Sequence, residues 1–109
     1  MRLRKNKYGA RKVVIDNIKF DSAKEAHFYK ELKLLVAAKQ IYNLSCHPSY
    51  EITINNTKIC KVVLDFAYNE TKTGKYILID VKGVYTAMSK LKHKLFRASY
   101  PELELRVIF

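Results

Sequence analysis

The spacing of apolar positions changes several times along the 109-residue chain, and each change marks an element. Lys12-Val13-Val14-Ile15 and Ile18-Lys19-Phe20 flank Asp16-Asn17, a pair that tolerates positive φ, which predicts a tight hairpin. The period then lengthens. Ser22-Ala23-Lys24-Glu25 has capping-box form, and Phe28, Tyr29, Leu32, Leu35 and Val36 share one face of a helix that should run to about Lys39. Extended segments are expected at Ile41–Cys46 and at Ser49–Ile54, the second closed by Asn55-Asn56. The strongest strand signals are Lys58–Tyr68, read as one strand, and Lys75–Lys82, both rich in Val, Ile, Leu and aromatic residues. A second helix should cover roughly Thr86–Ser99, ending at Tyr100-Pro101 because the residue before proline avoids the helical region. Leu103–Phe109 alternates as a last strand. Hairpin, helix, strands, helix and strand together predict an α/β domain with a central mixed sheet flanked by two main helices.

Composition fits one such domain and adds little else. Hydrophobic residues make up 49% of the chain and charged residues 28%, which excludes a disordered polymer. No apolar run approaches the ~20 residues of a membrane span, so no membrane partner is expected. The start Met1-Arg2-Leu3-Arg4-Lys5 has no apolar stretch behind it, which argues against a signal peptide and for a cytoplasmic protein. Cys46 and Cys60 form no Cys-x-x-Cys pair, and are read as small hydrophobes rather than a disulfide or zinc site.

Charge changes the picture more. Lys and Arg number 21 against 10 Asp and Glu, a net +11. Residues 1–12 hold Arg2, Arg4, Lys5, Lys7, Arg11 and Lys12 with no acid, and are read as a basic arm preceding a single domain over 13–109. A second acid-free block contains Lys82, Lys90, Lys92, Lys94 and Arg97. On the second helix Lys90, Lys94 and Arg97 share a face, while Met88, Leu91, Leu95 and Ala98 make up much of another. Segregated basic blocks on a near-neutral body suit a polyanion, because each phosphate neutralised releases counterions. The expected partner is DNA. The basic arm and the lysine face of the second helix would meet its phosphates.

Two carboxylates stand where strand composition disfavours them. Asp65 lies within Val62-Val63-Leu64-Asp65-Phe66-Ala67, and Asp80 within Ile77-Leu78-Ile79-Asp80-Val81. A buried carboxylate is costly unless a cation or hydrogen-bond donors offset it. A two-residue turn at Lys72-Thr73 would make the two aspartates direct cross-strand partners, about 4.5–5.5 Å apart at Cβ, while a three-residue turn ending in Gly74 would shift the register by one and, with its bulge, still leave them neighbours. Lys82, two residues past Asp80, shares its face. Glu25 falls on the apolar stripe of the first helix and points inward, unless it serves only the capping box with Ser22. Clustered carboxylates of this kind suit a hard cation such as Mg²⁺. His27, His47 and His93 make no recognisable ligand motif.

Asp65, then fourteen residues, then Asp80-Val81-Lys82, with Glu25 on a preceding helix, resembles the core of the PD-(D/E)XK nucleases. Asn6-Lys7-Tyr8-Gly9-Ala10, Phe20-Asp21-Ser22 followed by Glu25, and Asp80-Val81-Lys82-Gly83 look like a family of small phage-encoded proteins of that superfamily. One departure is Leu64, where the superfamily name expects proline. The resemblance implies a restriction-endonuclease-like fold and a metal-dependent endonuclease leaving 5′-phosphate and 3′-hydroxyl ends. It implies Glu25, Asp65, Asp80 and the Val81 carbonyl as ligands of Mg²⁺, with Mn²⁺ able to substitute, and Lys82 as the catalytic lysine. The implied setting is phage DNA processing in a bacterial host cell, on a Holliday junction or on a simpler nick or end. A homodimer is expected, since paired incisions need two sites. The rival reading is a basic nucleic-acid-binding module whose carboxylates are structural.

Overall fold

The computed structural model describes residues 12–109. Two strands, β1 (Val13–Ile15) and β2 (Ile18–Phe20), form the first hairpin, with Asp16 at φ 53° and Asn17 at φ 62° as its type I′ chemistry requires. Helix α1 (Ala23–Ala37) follows. Its N-cap is Ser22, whose hydroxyl accepts the Glu25 N–H at 3.1 Å. The helix stops two residues before the expected Lys39, which turns left-handed at φ 61°.

The middle of the chain is one long bent hairpin. Strands β3 (Ile41–Cys46) and β4 (Ser49–Ile54) make one arm, and β5 (Thr57–Val63) and β6 (Phe66–Glu70) the other, around Asn55 and Asn56, both at positive φ. The segment 58–68, read from the sequence as one strand, is therefore broken at Leu64-Asp65. Opposite the break stand His47 and Pro48. The His47 N–H donates to the Asp65 carbonyl and the Leu64 N–H to the Pro48 carbonyl, each at 2.9 Å. Pro48 has no N–H to offer a ladder and His47 sits at φ 57°, so both arms bend together and leave one sheet for another.

The central sheet has the order β3-β6-β7-β8, with β7 (Tyr76–Val81) and β8 (Glu104–Ile108) parallel and the other pairs antiparallel. The mixed central sheet is thus present, but only four strands belong to it. The β1-β2 and β4-β5 pairs are separate two-stranded sheets. Helix α2 (Ala87–Ser99), capped by Thr86, connects β7 to β8.

The sheet divides the core in two. Phe66, Tyr68, Ile77 and Ile79 pack with Phe20, Tyr29 and Leu32 on the α1 side. Ala67, Leu78 and Leu105 pack with Ile52, Val62, Leu64 and Phe96 on the α2 side. The alternation along β6 and β7 is the period-two pleat. Helix α2 does not use the apolar face read from the sequence: Met88 and Leu91 are 61% and 51% exposed, and the buried residues are His93 and Phe96. The aromatic line His93, Phe96, Tyr100 fits the space between the sheet and the β4-β5 hairpin, where Tyr50 packs on both Phe96 and Tyr100. No helix among the described residues is long and apolar enough to cross a membrane.

Candidate active site

Strand β7 carries Asp80 on the α2 side, in step with Leu78, and buries it to 3% exposure. Burial alone would force its carboxyl to take up a proton, but three neighbours act the other way. His93 Nε2 lies 2.6 Å from Asp80 Oδ2, and Lys82 Nζ lies 3.2 Å from the same oxygen. Burial pushes the Asp80 carboxyl up, and the His93 hydrogen bond, the Lys82 charge and the nearby Asp65 outweigh it, holding Asp80 below the usual carboxylate range. A carboxylate can only accept, so the His93 hydrogen at Nε2 faces Asp80, and the Tyr85 hydroxyl meets Nδ1 at 2.7 Å. Tyr85, His93, Asp80 and Lys82 form one continuous polar chain inside the α2 layer.

Asp65 stands at the bend. The β6-β7 register is the one expected of the two-residue turn, pairing Phe66 with Ile79 and Tyr68 with Ile77, but the turn is four residues, Thr71 to Gly74. The ladder then stops before the predicted Asp65–Asp80 pair. The Asp65 N–H donates to Ile79, one residue short, and Asp65 Oδ2 accepts the Val81 N–H at 2.6 Å. The local irregularity swings the Asp65 side chain across the end of β7, between Asp80 and Glu25. Burial and the charges of Asp80 and Glu25 push the Asp65 carboxyl up to about 9.

Glu25 enters from the first turn of α1 and is 6% exposed. Its N–H satisfies Ser22, while its carboxylate goes inward, with Oε1 3.1 Å from His47 Nε2. Burial raises the Glu25 carboxyl and the His47 contact partly offsets that. Glu25, His47 and Asp65 each present a ligand atom, all within 4.8 Å of one another. Lys24 Nζ donates to the Lys82 carbonyl at 3.1 Å, tying the same helical turn to the end of β7.

The structure therefore brings together the expected Glu25, Asp65, Asp80, Val81 and Lys82, and adds His47, His93 and Tyr85. Both added histidines left a trace in the sequence. Counting back from the Asn55-Asn56 turn puts His47 opposite Leu64, one bulge away from Asp65. His93 lies three and seven residues before Phe96 and Tyr100, on the aromatic stripe that α2 buries.

Beside Asp80 and Lys82 opens a cleft of about 210 Å³, lined also by Lys61, Met88, Lys92 and His93. Its cations come from β5, the end of β7 and α2. Lys90 and Lys94 are exposed on α2, with the Lys90 ammonium 5.5 Å from the Tyr85 ring centre. Arg97 is committed differently from its two helical neighbours, donating to the Leu105 carbonyl of β8 at 3.1 Å. Lys12 is exposed at the start of β1. Arg2, Arg4, Lys5, Lys7 and Arg11 lie outside the described residues.

Chemically, the site joins three crowded carboxylates, two imidazoles and a lysine at the edge of a cationic cleft. That donor set fits a divalent cation, whose charge would offset the repulsion that Asp80 and Glu25 exert on an ionised Asp65. No curated protein matches the sequence. Residues 5–109 match the family described as protein of unknown function (DUF1064), and the chain belongs to that family.

Proposed function

We propose that the protein is a divalent-metal-dependent DNA endonuclease of the PD-(D/E)XK type. The observation that carries the reading is the convergence of Asp65, Asp80 and Lys82 at one end of β7, with Lys82 Nζ 3.2 Å from Asp80 and a lysine-lined cleft alongside. Lys82 and His93 relieve Asp80, but Asp65 has no cation of its own and stands against both Asp80 and Glu25, a crowding that a bound cation would offset. The element order of α1, three sheet strands, α2 and β8 is also the order the resemblance implies.

Glu25, Asp65, Asp80 and the Val81 carbonyl would hold the cation, read as Mg²⁺ with Mn²⁺ able to replace it. When bound, the ion supplies Lewis acidity to the scissile phosphate and makes water within its reach more acidic. Lys82 orients the attacking water and stabilises charge that builds on the phosphate oxygens. His93, anchored by Tyr85, keeps Asp80 ionised and fixed in rotamer, as a hydrogen-bonded partner behind a ligand does. Lys61 and Lys92 would neutralise phosphates flanking the cut, and Lys90 and Lys94 would extend the track along α2. The products are a 5′-phosphate and a 3′-hydroxyl. Cutting two strands in concert would use two copies of the chain.

The test is to incubate the purified protein with four-way junction, linear duplex and single-stranded DNA, with Mg²⁺, Mn²⁺ or EDTA. Cation-dependent cleavage of one or more substrates, absent in Asp80→Asn, is expected. Binding without cleavage under every condition would leave a nucleic-acid-binding module.

A further inference from the structure

We propose that His47 is a nitrogen ligand completing a cation position with Glu25 and Asp65, and that this position selects a first-row divalent transition metal over Mg²⁺ or Ca²⁺. The inference rests on reading Glu25 and Asp65 as cation ligands, and it changes which ion they serve.

Distances favour a single ion. Ligands at ~2.0–2.3 Å from a common centre lie within about 4–4.6 Å of each other. The candidate atoms of Glu25, His47 and Asp65 already fall within 4.8 Å, with His47 Nε2 and Glu25 Oε1 in contact at 3.1 Å. An ion between them would replace the direct His47–Glu25 contact with two bonds to itself.

The backbone holds the set in place. His47 and Asp65 are bonded across the bend at 2.9 Å, so their side chains leave from neighbouring points of one ladder. His47 adopts φ 57°, a conformation that costs a side-chain-bearing residue free energy and persists where the surroundings dictate it. Glu25 is fixed independently by the Ser22 cap and by the burial of α1.

Access is also provided. The His47 side chain is 36% exposed and lines a groove of about 730 Å³ running between β1-β2, α1 and β3. That groove is separate from the lysine cleft, with which it shares no lining residue. Asp80, by contrast, has its Oδ2 engaged by both His93 and Lys82.

Ligand chemistry then decides the ion. Mg²⁺ and Ca²⁺ take oxygen ligands and, for Mg²⁺, retained waters. An imidazole with two carboxylates shifts the preference toward first-row transition ions, whose affinity for nitrogen rises along the series from Mn²⁺.

The experiment uses the full chain and the metal alone. Mn²⁺ is titrated by electron paramagnetic resonance into wild type, His47→Gln and Glu25→Gln, with Mg²⁺ as competitor, and pulsed spectra of bound Mn²⁺ are searched for ¹⁴N coupling. Circular dichroism and thermal melts confirm that each variant folds. Expected are Mn²⁺ binding at least about tenfold tighter than Mg²⁺, an imidazole ¹⁴N signature, and loss of both in His47→Gln. Bound Mn²⁺ without nitrogen coupling, or equal binding of both ions in wild type and His47→Gln, would overturn the proposal. The two readings fail separately. A nitrogen signature with no cleavage of any DNA supports this ligand assignment and counts against the nuclease. Cleavage that is lost in Asp80→Asn yet equally fast with Mg²⁺ and Mn²⁺, without nitrogen coupling, does the reverse.

Discussion

The Val81 N–H is bonded to Asp65 Oδ2 at 2.6 Å, so the residue between Asp80 and Lys82 holds the carboxylate that stands at the break between β5 and β6. That bond makes Asp65 part of the end of β7 even though the ladder between β6 and β7 has already stopped. The site is consequently sensitive to charge at Asp65 without depending on that charge for its shape.

Asp65→Asn keeps an oxygen for the Val81 N–H, so its fold should persist while cleavage falls by orders of magnitude. Asp80→Asn should behave the same way. DNA binding by either variant, followed by fluorescence anisotropy, should be unchanged or tighter because a repelling charge is gone. Lys82→Ala should also be inactive, yet retain cation binding by calorimetry, since the lysine supplies no ligand. Retained nicking by purified Asp80→Asn would sink the nuclease assignment.

Stability of the metal-free protein should depend on pH with a definite sign. Asp65 is raised from 3.8 to about 9 on folding, so between those values the native state holds a proton that the unfolded chain releases. Stability should therefore fall as pH rises from about 4 to about 9. Glu25 is raised as well and adds to the same slope from 4.5 upward. Asp80 is lowered, so its opposite contribution lies below 3.8, outside this window. Thermal melts in EDTA should show the decline, Asp65→Asn should flatten it, and a saturating divalent cation should cancel it. A melting temperature that climbs from pH 5 to pH 8 would contradict the assignment.

Removing the partner behind Asp80 should cost more than removing the partner behind His93. His93→Phe leaves Asp80 buried with Lys82 and Asp65 but without its imidazole, and should destabilise by about 3 kcal/mol. Tyr85→Phe removes one hydrogen bond and should cost about 1 kcal/mol. Urea unfolding of the two variants measures both; equal losses would mean that Asp80 does not need its imidazole.

Glu25→Gln separates packing from chemistry. Ser22 still caps the Glu25 position through the backbone N–H, so the substitution should change stability by less than about 1 kcal/mol, whereas Ser22→Ala should cost about 1 kcal/mol. Cleavage should respond in the opposite order, nearly lost in Glu25→Gln and near normal in Ser22→Ala. Near-normal activity of Glu25→Gln would return that carboxylate to a structural role.

The basic segment makes a quantitative prediction about salt. Deleting residues 2–7 removes Arg2, Arg4, Lys5 and Lys7. If all four meet phosphates, the slope of log affinity against log salt should become shallower by about 3–4. Cleavage at saturating DNA should change far less. An unchanged slope would move the phosphate contacts to Lys90, Lys94 and the cleft lysines.

Local chemistry was readable from the sequence where a single element decides it. Asp16-Asn17 and Asn55-Asn56 specify their turns, Ser22 the cap of α1, and apolar composition marks β7 and its odd aspartate. Even the β6-β7 register was readable, although the turn that sets it is longer than expected. What stayed hidden depends on two segments at once. The break at Leu64-Asp65 lies across from His47-Pro48, and within residues 58–68 only Asp65, a poor strand former, hints at it. The buried face of α2 was misread for a similar reason. Met88 and Leu91 are as apolar as Phe96, and only the position of the β4-β5 hairpin selects the aromatic line with His93. The two histidines missed as site residues are thus those whose neighbours come from other elements.

The division of the core by the central sheet gives the cluster a mechanical meaning. Glu25 is rooted in the layer under α1, Asp80 in the layer under α2, and Asp65 at the seam. A cation shared among them would act as a rivet through the sheet, gripping both layers at once. Loosening either layer would then weaken the grip, and filling the rivet hole would stiffen both. Metal affinity in this protein would therefore serve as a gauge of the whole fold, read out at one point.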